Sequence, residues 1–222
     1  MRNVEKELTF ENRKFEKAVR ESIRIEDNPI TTTLVKNVDF LCLLDCELSD
    51  SDFEILYQFE DLKGLTIGEA SGTFDLCRLT PFKKLEYLSI HGGEYSVMDI
   101  LNVSVLQELK SLNKLEFAGF GSVDLNGLEK LQQLKDLEIL WGITVKNVDL
   151  IGSLKNLTNL FLCDMQVPNL NFITLLNKDA EICLGDIIVD EPFDVSKLNS
   201  FTNLECDCCK VNGGLLNKIQ NN

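Results

Sequence analysis

The sequence predicts an α/β solenoid: about eight repeats of 22–27 residues, a parallel β-sheet on the concave face and a helical N-terminal cap. Three observations carry this. The pattern apolar-x-x-apolar-x-apolar begins at positions 38, 62, 85, 112, 134, 157, 179 and 201, in steps of 24, 23, 27, 22, 23, 22 and 22 residues. Leucine makes up 37 of the 222 residues, about one in six. Further apolar stripes follow the pattern at Val123/Leu125/Leu128/Leu131, Val148/Leu150/Leu154 and Val195/Leu198. An apolar-x-apolar pair is a short strand with both apolar residues on one face, because strand side chains alternate. One such unit cannot bury its apolar side alone, whereas stacked units share a continuous core.

The elements follow in order. Residues 1–33 form the N-terminal helical cap, covering the first sheet edge. Residues 34–210 form the solenoid, with strand apolar pairs Leu41/Leu43, Leu65/Ile67, Leu88/Ile90, Leu115/Phe117, Leu137/Ile139, Leu160/Leu162, Ile182/Leu184 and Leu204/Cys206. Only Asp179 breaks the leading apolar position. The return path of the first repeat reads as a helix, with Ser51 or Asp52 as N-cap before Phe53, Ile55, Leu56 and Phe59. The third repeat is the longest, and its stretch from Val97 to Leu109 is expected to be a helix on the convex side. Residues 211–222 are a short polar C-terminal tail.

Leu85-Glu86-Tyr87-Leu88-Ser89-Ile90 and Leu134-Lys135-Asp136-Leu137-Glu138-Ile139 resemble the strand motif of the leucine-rich-repeat family, and the resemblance covers roughly residues 34–210. The segment from Phe15 to Ile23 resembles the helical cap of bacterial, internalin-like members. One departure stands out. The family usually places Asn or Cys three residues after the last strand apolar; here that place holds Cys46, Ala70, Gly93, Phe120, Gly142, Met165, Ile187 and Cys209. Without an asparagine ladder, backbone-to-backbone bonds or water must satisfy the turning chain.

Composition narrows the function. Acids outnumber bases 36 to 22, and the net charge is −14. That argues against nucleic acid and against an anionic membrane surface, both of which need a basic face. No apolar run of about 18 residues is present, so no membrane-spanning helix is expected. The charged stretch from Met1 to Glu7 does not read as a signal peptide, which places the chain in the cytoplasm. In that reducing compartment the eight cysteines are expected to be free thiols packing as small apolar residues. The cluster Cys206-Asp207-Cys208-Cys209 lacks a second ligand pair for zinc.

The register assigns 32 side chains to the open side of the strands; ten are acidic and only Lys114 is basic. An even spread of the chain's charges would give about five and three. Glu116 and Glu138 fall at the same place on adjacent strands, about 4.8 Å apart, which suits a cationic partner. The candidate partner-binding residues are therefore Glu116, Asp136, Glu138, Asp164, Asp186 and Glu205, with Leu140, Trp141 and Phe161 as apolar anchors. No catalytic constellation is evident. His91 reads as a polar surface residue, distant from every cysteine, and no phosphate loop is present. No cofactor or metal is expected.

These observations point to a non-catalytic module that binds a basic protein through an acidic concave face. A concrete form is an immunity protein neutralising a basic toxin. The alternative is a regulatory or host-directed adaptor; a metal-binding protein or enzyme ranks below both.

Overall fold

The computed structural model describes residues 6–44, 46–70, 72–92, 97–119, 121–142 and 144–216, without the side chains of Glu69 and Ala70. Gly93 and Phe120, singled out above, lie outside the described residues. The chain opens with α1 (Arg13–Ile23) and α2 (Thr32–Lys36). Phe15 and Val19, four apart on α1, are both fully buried, and α1 packs against the first strand. Asn12 begins α1 by accepting hydrogen bonds from the Lys14 and Phe15 amides, both at 3.1 Å. Its amide nitrogen donates to the Glu47 carbonyl at 2.9 Å and to Asp52 at 3.2 Å, so one side chain starts the helix and fastens it to the first repeat.

The repeats then run β1 (Phe40–Leu43), α3 (Asp50–Leu56), β2 (Gly64–Ala70), β3 (Gly72–Asp75), β4 (Tyr87–Gly92), β5 (Met98–Leu101), β6 (Lys114–Ala118), β7 (Ser122–Asp124), β8 (Asp136–Leu140), β9 (Thr144–Lys146), β10 (Asn159–Val167), β11 (Glu181–Val189), β12 (Leu204–Asp207), β13 (Cys209–Val211) and β14 (Gly214–Leu216). Strands β1, β2, β4, β6, β8, β10, β11 and β12 form the concave parallel sheet. Their register pairs Leu41 with Leu65, Leu65 with Leu88, and so on to Ile182 with Leu204, as the repeat spacing predicts. The inward pairs are all buried, and they join one core running the length of the solenoid.

A second, four-stranded parallel sheet, β3-β5-β7-β9, lies after the corner that ends each concave strand. It supplies the backbone-to-backbone bonds that the missing asparagine ladder left to be found. β10 and β11 run through both regions as continuous nine-residue strands. The former ladder positions Cys46, Met165, Ile187 and Cys209 turn inward and are buried, so they work as core.

Three local expectations are corrected. The stretch from Val97 to Leu109 is no α-helix: it holds β5 and a 3₁₀ segment, Val103–Glu108. Met98 and Ile100 bury alternate positions, the strand period, and Val103, Leu106 and Leu109 recur every third residue, the 3₁₀ period. The cap of α3 is Ser49, which accepts from the Asp52 amide while the Asp52 carboxylate accepts from the Ser49 amide at 2.9 Å. In the fifth repeat Ile151 is the fully buried residue and Leu150 is only partly covered. Asp179 stays exposed, and Ala180 fills the core beside it.

Candidate functional site

The concave sheet presents three rows of side chains between its inward-facing leucines. The first runs Phe40, Gly64, Tyr87, Lys114, Asp136, Asn159 and Glu181. The second runs Cys42, Thr66, Ser89, Glu116, Glu138, Phe161, Cys183 and Glu205. The third contains His91, Ala118 and Leu140, then Cys163, Gly185 and Asp207.

The middle of this face is bonded from within. Glu116 and Glu138 are register partners, as expected, yet each has a partner in its own sheet, His91 and Tyr87 for Glu116 and Lys114 for Glu138. His91 Nε2 lies 2.9 Å from Glu116 Oε1, and Tyr87 donates to the other carboxylate oxygen at 3.0 Å. The Glu116 side chain is only 12% exposed. The His91 hydrogen bond, seconded by Tyr87 and opposed by burial, holds the Glu116 carboxyl below its ordinary range. Lys114 pairs with Glu138, which raises the lysine's pKa, and its ammonium sits 5.7 Å from the centre of the Tyr87 ring. Asp136 accepts from the Asn159 amide.

Sequence reasoning read His91 as an isolated surface residue; the fold brings it against Ser89 at 2.7 Å, Glu116, and the edge of the Trp141 indole at 6.2 Å between ring centres. The signal was available, since the register makes Ser89 the neighbour of Glu116 and the two-residue strand period puts His91 on the same face. This grouping is no hydrolytic relay. One imidazole nitrogen serves both contacts, whereas such a relay uses the two nitrogens separately. Ser89 is also fully buried. Among the described residues no cluster of three or more His, Cys, Asp or Glu side chains is arranged to hold a metal ion.

The apolar anchors separate. Leu140, expected to face solvent, is 7% exposed, and its third-row neighbour Ala118 is fully buried as well. Trp141 itself is 58% exposed, and Phe161 is half-buried between Glu138 and Cys183. Trp141 was placed on a strand and stands just past the end of β8, whereas Asp164 and Asp186 lie within β10 and β11 as expected, at the corner where those strands turn. Gly119, Trp141, Asp164, Asp186 and Cys208 occupy this corner in successive repeats, with φ of +68°, +64°, +55°, +49° and +54°. The left-handed conformation is what turns the chain from the concave strand into the next segment.

Beyond Phe161 the face changes character. Asp164, Glu181, Asp186, Glu205 and Asp207 are all exposed. Among the described residues, Asp164, Glu181, Asp186 and Asp207 form no ion pair. Among the described residues, exposed carboxylates without an ion pair therefore gather toward the C-terminal end of this face. At the opposite end two apolar side chains stand out among the described residues: Phe40 and Leu44 are 48% and 41% exposed. Sequence reasoning placed both on the concave face without weighing them as anchors.

No family model matches the chain, and no curated protein matches it. Solved structures do. An internalin C2 of Listeria monocytogenes aligns with a TM-score of 0.63 at 18% identity, over 90% of this chain and 94% of that one. An internalin F of the same organism gives 0.55 at 15% identity, over 91% and 71%. A leucine-rich-repeat protein of Leptospira interrogans gives 0.60 at 19% identity, over 80% and 45%. Among the described residues no helix is long and apolar enough to cross a membrane. Register, repeat length and these likenesses agree that the chain has the fold of the leucine-rich-repeat proteins.

Proposed function

We propose that the protein is a non-catalytic, cytoplasmic binding module that holds a basic protein against the C-terminal half of its concave face. One observation carries this reading: among the described residues the exposed carboxylates of Asp164, Glu181, Asp186 and Asp207 form no ion pair, while Glu138 pairs with Lys114 and Glu116 is hydrogen-bonded by His91 and Tyr87. An opposite charge on the partner speeds encounter and selects against acidic competitors. Trp141 and Phe161 flank the carboxylates and supply apolar contact. Glu116 and Glu138 serve the arrangement of the face, and Asp164, Asp186 and Glu205 serve recognition. In its most concrete form the partner is a basic toxin whose nucleic-acid groove is masked, and the protein gives immunity.

The test compares wild-type protein with an Asp164→Lys/Asp186→Lys variant, using a partner captured from the source cell and then purified. Calorimetry is expected to show a basic partner and about tenfold or greater weakening by the variant. An acidic partner, or equal affinity for both proteins, would sink the reading. Inhibition of the partner's toxic activity would establish the immunity form.

A further inference from the structure

The concave face carries a second, apolar binding feature at its N-terminal end, opposite the acidic end. Phe40 lies flat against β2, where a Cβ on Gly64 would come within 2.4 Å of its ring. Its ring is parallel to that of Tyr87, at 9° and 6.3 Å between centres. Tyr87 in turn carries the Lys114 ammonium, and Lys114 holds Glu138. The exposed Phe40 is therefore braced from beneath and from one side, in the manner of a pre-ordered anchor that loses little side-chain freedom on binding. Leu44 follows just past the end of the same strand, beside Gly68, where the Leu44 backbone would come within 2.4 Å of an added Cβ. Five strand steps of about 4.8 Å, some 24 Å in all, separate Phe40 from the strand that bears Asp164. The centre joins the two ends through the Lys114–Glu138 ion pair and the His91 and Tyr87 hydrogen bonds to Glu116.

We propose that the face is bipartite, and that it accepts one polypeptide segment with an apolar or aromatic side chain at one end and cationic side chains about 24 Å away, a span of about seven extended residues. The unmatched carboxylates at one end call for the cations, and the exposed Phe40–Leu44 surface continues the same sheet. This deepens the acidic-face reading and rests on it for the cationic end.

Fluorescence anisotropy with synthetic peptides of about twelve residues tests it. One pair carries Leu-Phe and Lys-Arg-Lys separated by a Gly/Ser spacer of about six residues, in both chain directions. A third joins the same clusters directly, and a fourth carries the cationic cluster alone. One spaced peptide is expected to bind about tenfold tighter than the joined or cationic peptides. Phe40→Ser and Leu44→Ser should each remove most of that gain and leave the cationic peptide's affinity unchanged, with thermal melting confirming that both variants fold. Equal binding by spaced and joined peptides, indifference to both substitutions, or no binding by any peptide would overturn the proposal. Loss of Phe40 dependence with Asp164/Asp186 dependence kept sinks the bipartite proposal alone. Indifference of every peptide to Asp164→Lys/Asp186→Lys sinks the acidic reading beneath it.

Discussion

Trp141 holds a left-handed backbone, φ +64°, in a corner where the preceding repeat uses Gly119 and the following two use aspartate. Bulky residues adopt this conformation at a cost of about 1–2 kcal/mol, and a side chain 58% exposed recovers little of it by burial. Trp141→Gly is therefore expected to raise stability by about 1 kcal/mol in chemical denaturation, while weakening the partner complex. A destabilised variant would mean that the contact with His91 outweighs the backbone strain. Glu116 makes a pH prediction. Its carboxyl is held low by His91 and Tyr87, so the folded state binds that proton less readily than the unfolded chain does. The resulting stability is fully present above the unfolded value of about 4.3 and disappears as the pH falls through the lower folded value. Urea midpoints measured from neutral pH downward should fall less steeply through this acid range in Glu116→Gln than in wild type. At this scale the sequence showed which residues share a row, since row membership is strand alternation. It did not show which carboxylates were already satisfied, because that depends on how far Lys114, His91 and Tyr87 reach across neighbouring strands.

The convex elements obey a spacing that is visible once the 3₁₀ segments are known. Buried residues recur every third position at Leu76/Leu79/Phe82, Val103/Leu106/Leu109, Leu125/Leu128/Leu131 and Val148/Ile151/Leu154. Three per turn is the 3₁₀ repeat, and the short rows leave no room for an α-helical face. Polar side chains begin several of the convex turns: Asp75 accepts from the Cys77 amide, Asp124 from the Asn126 amide, Asn169 from the Asn171 amide and Asp194 from the Ser196 amide. They satisfy backbone groups locally, as side-chain-closed turns do. Gly127, with φ +93°, opens one such turn against Ser104, whose Cα would be 2.6 Å from an added Cβ. Gly127→Ala should cost about 2 kcal/mol or more, through strain and collision with backbone. Leu137→Ala, which empties a fully buried strand position, should cost about 2–5 kcal/mol. Denaturation curves check both, and a neutral Leu137 variant would contradict the register.

Across the whole molecule, the concave face grades from apolar at Phe40 and Leu44, through internal ion pairs, to exposed carboxylates near Asp186. Its unmatched charge is exposed and therefore open to screening by salt. Partner affinity should fall steadily as sodium chloride rises from about 50 mM to about 500 mM, measured by calorimetry on the purified complex. A salt-independent affinity would assign the binding energy to Trp141, Phe161 and Phe40.

The sequence by itself determined the architecture, because a strand period of two inside a repeat of 22–27 residues leaves the chain one way to bury its leucines. The eight strands, their register, their inward pairs and the acidic bias of the open side all follow from that arithmetic. Tertiary structure alone decided the rest. The left-handed corner at Trp141, Asp164 and Asp186 depends on backbone angles that no composition encodes. The contact of Trp141 with His91, two strands away, depends on how the corner aims the indole. The pairing of Glu116 with His91 and of Glu138 with Lys114 depends on side chains that meet only when repeats stack. Periodicity reports which face a residue takes; what covers or neutralises it there is settled by contacts between residues some 25 positions apart in sequence.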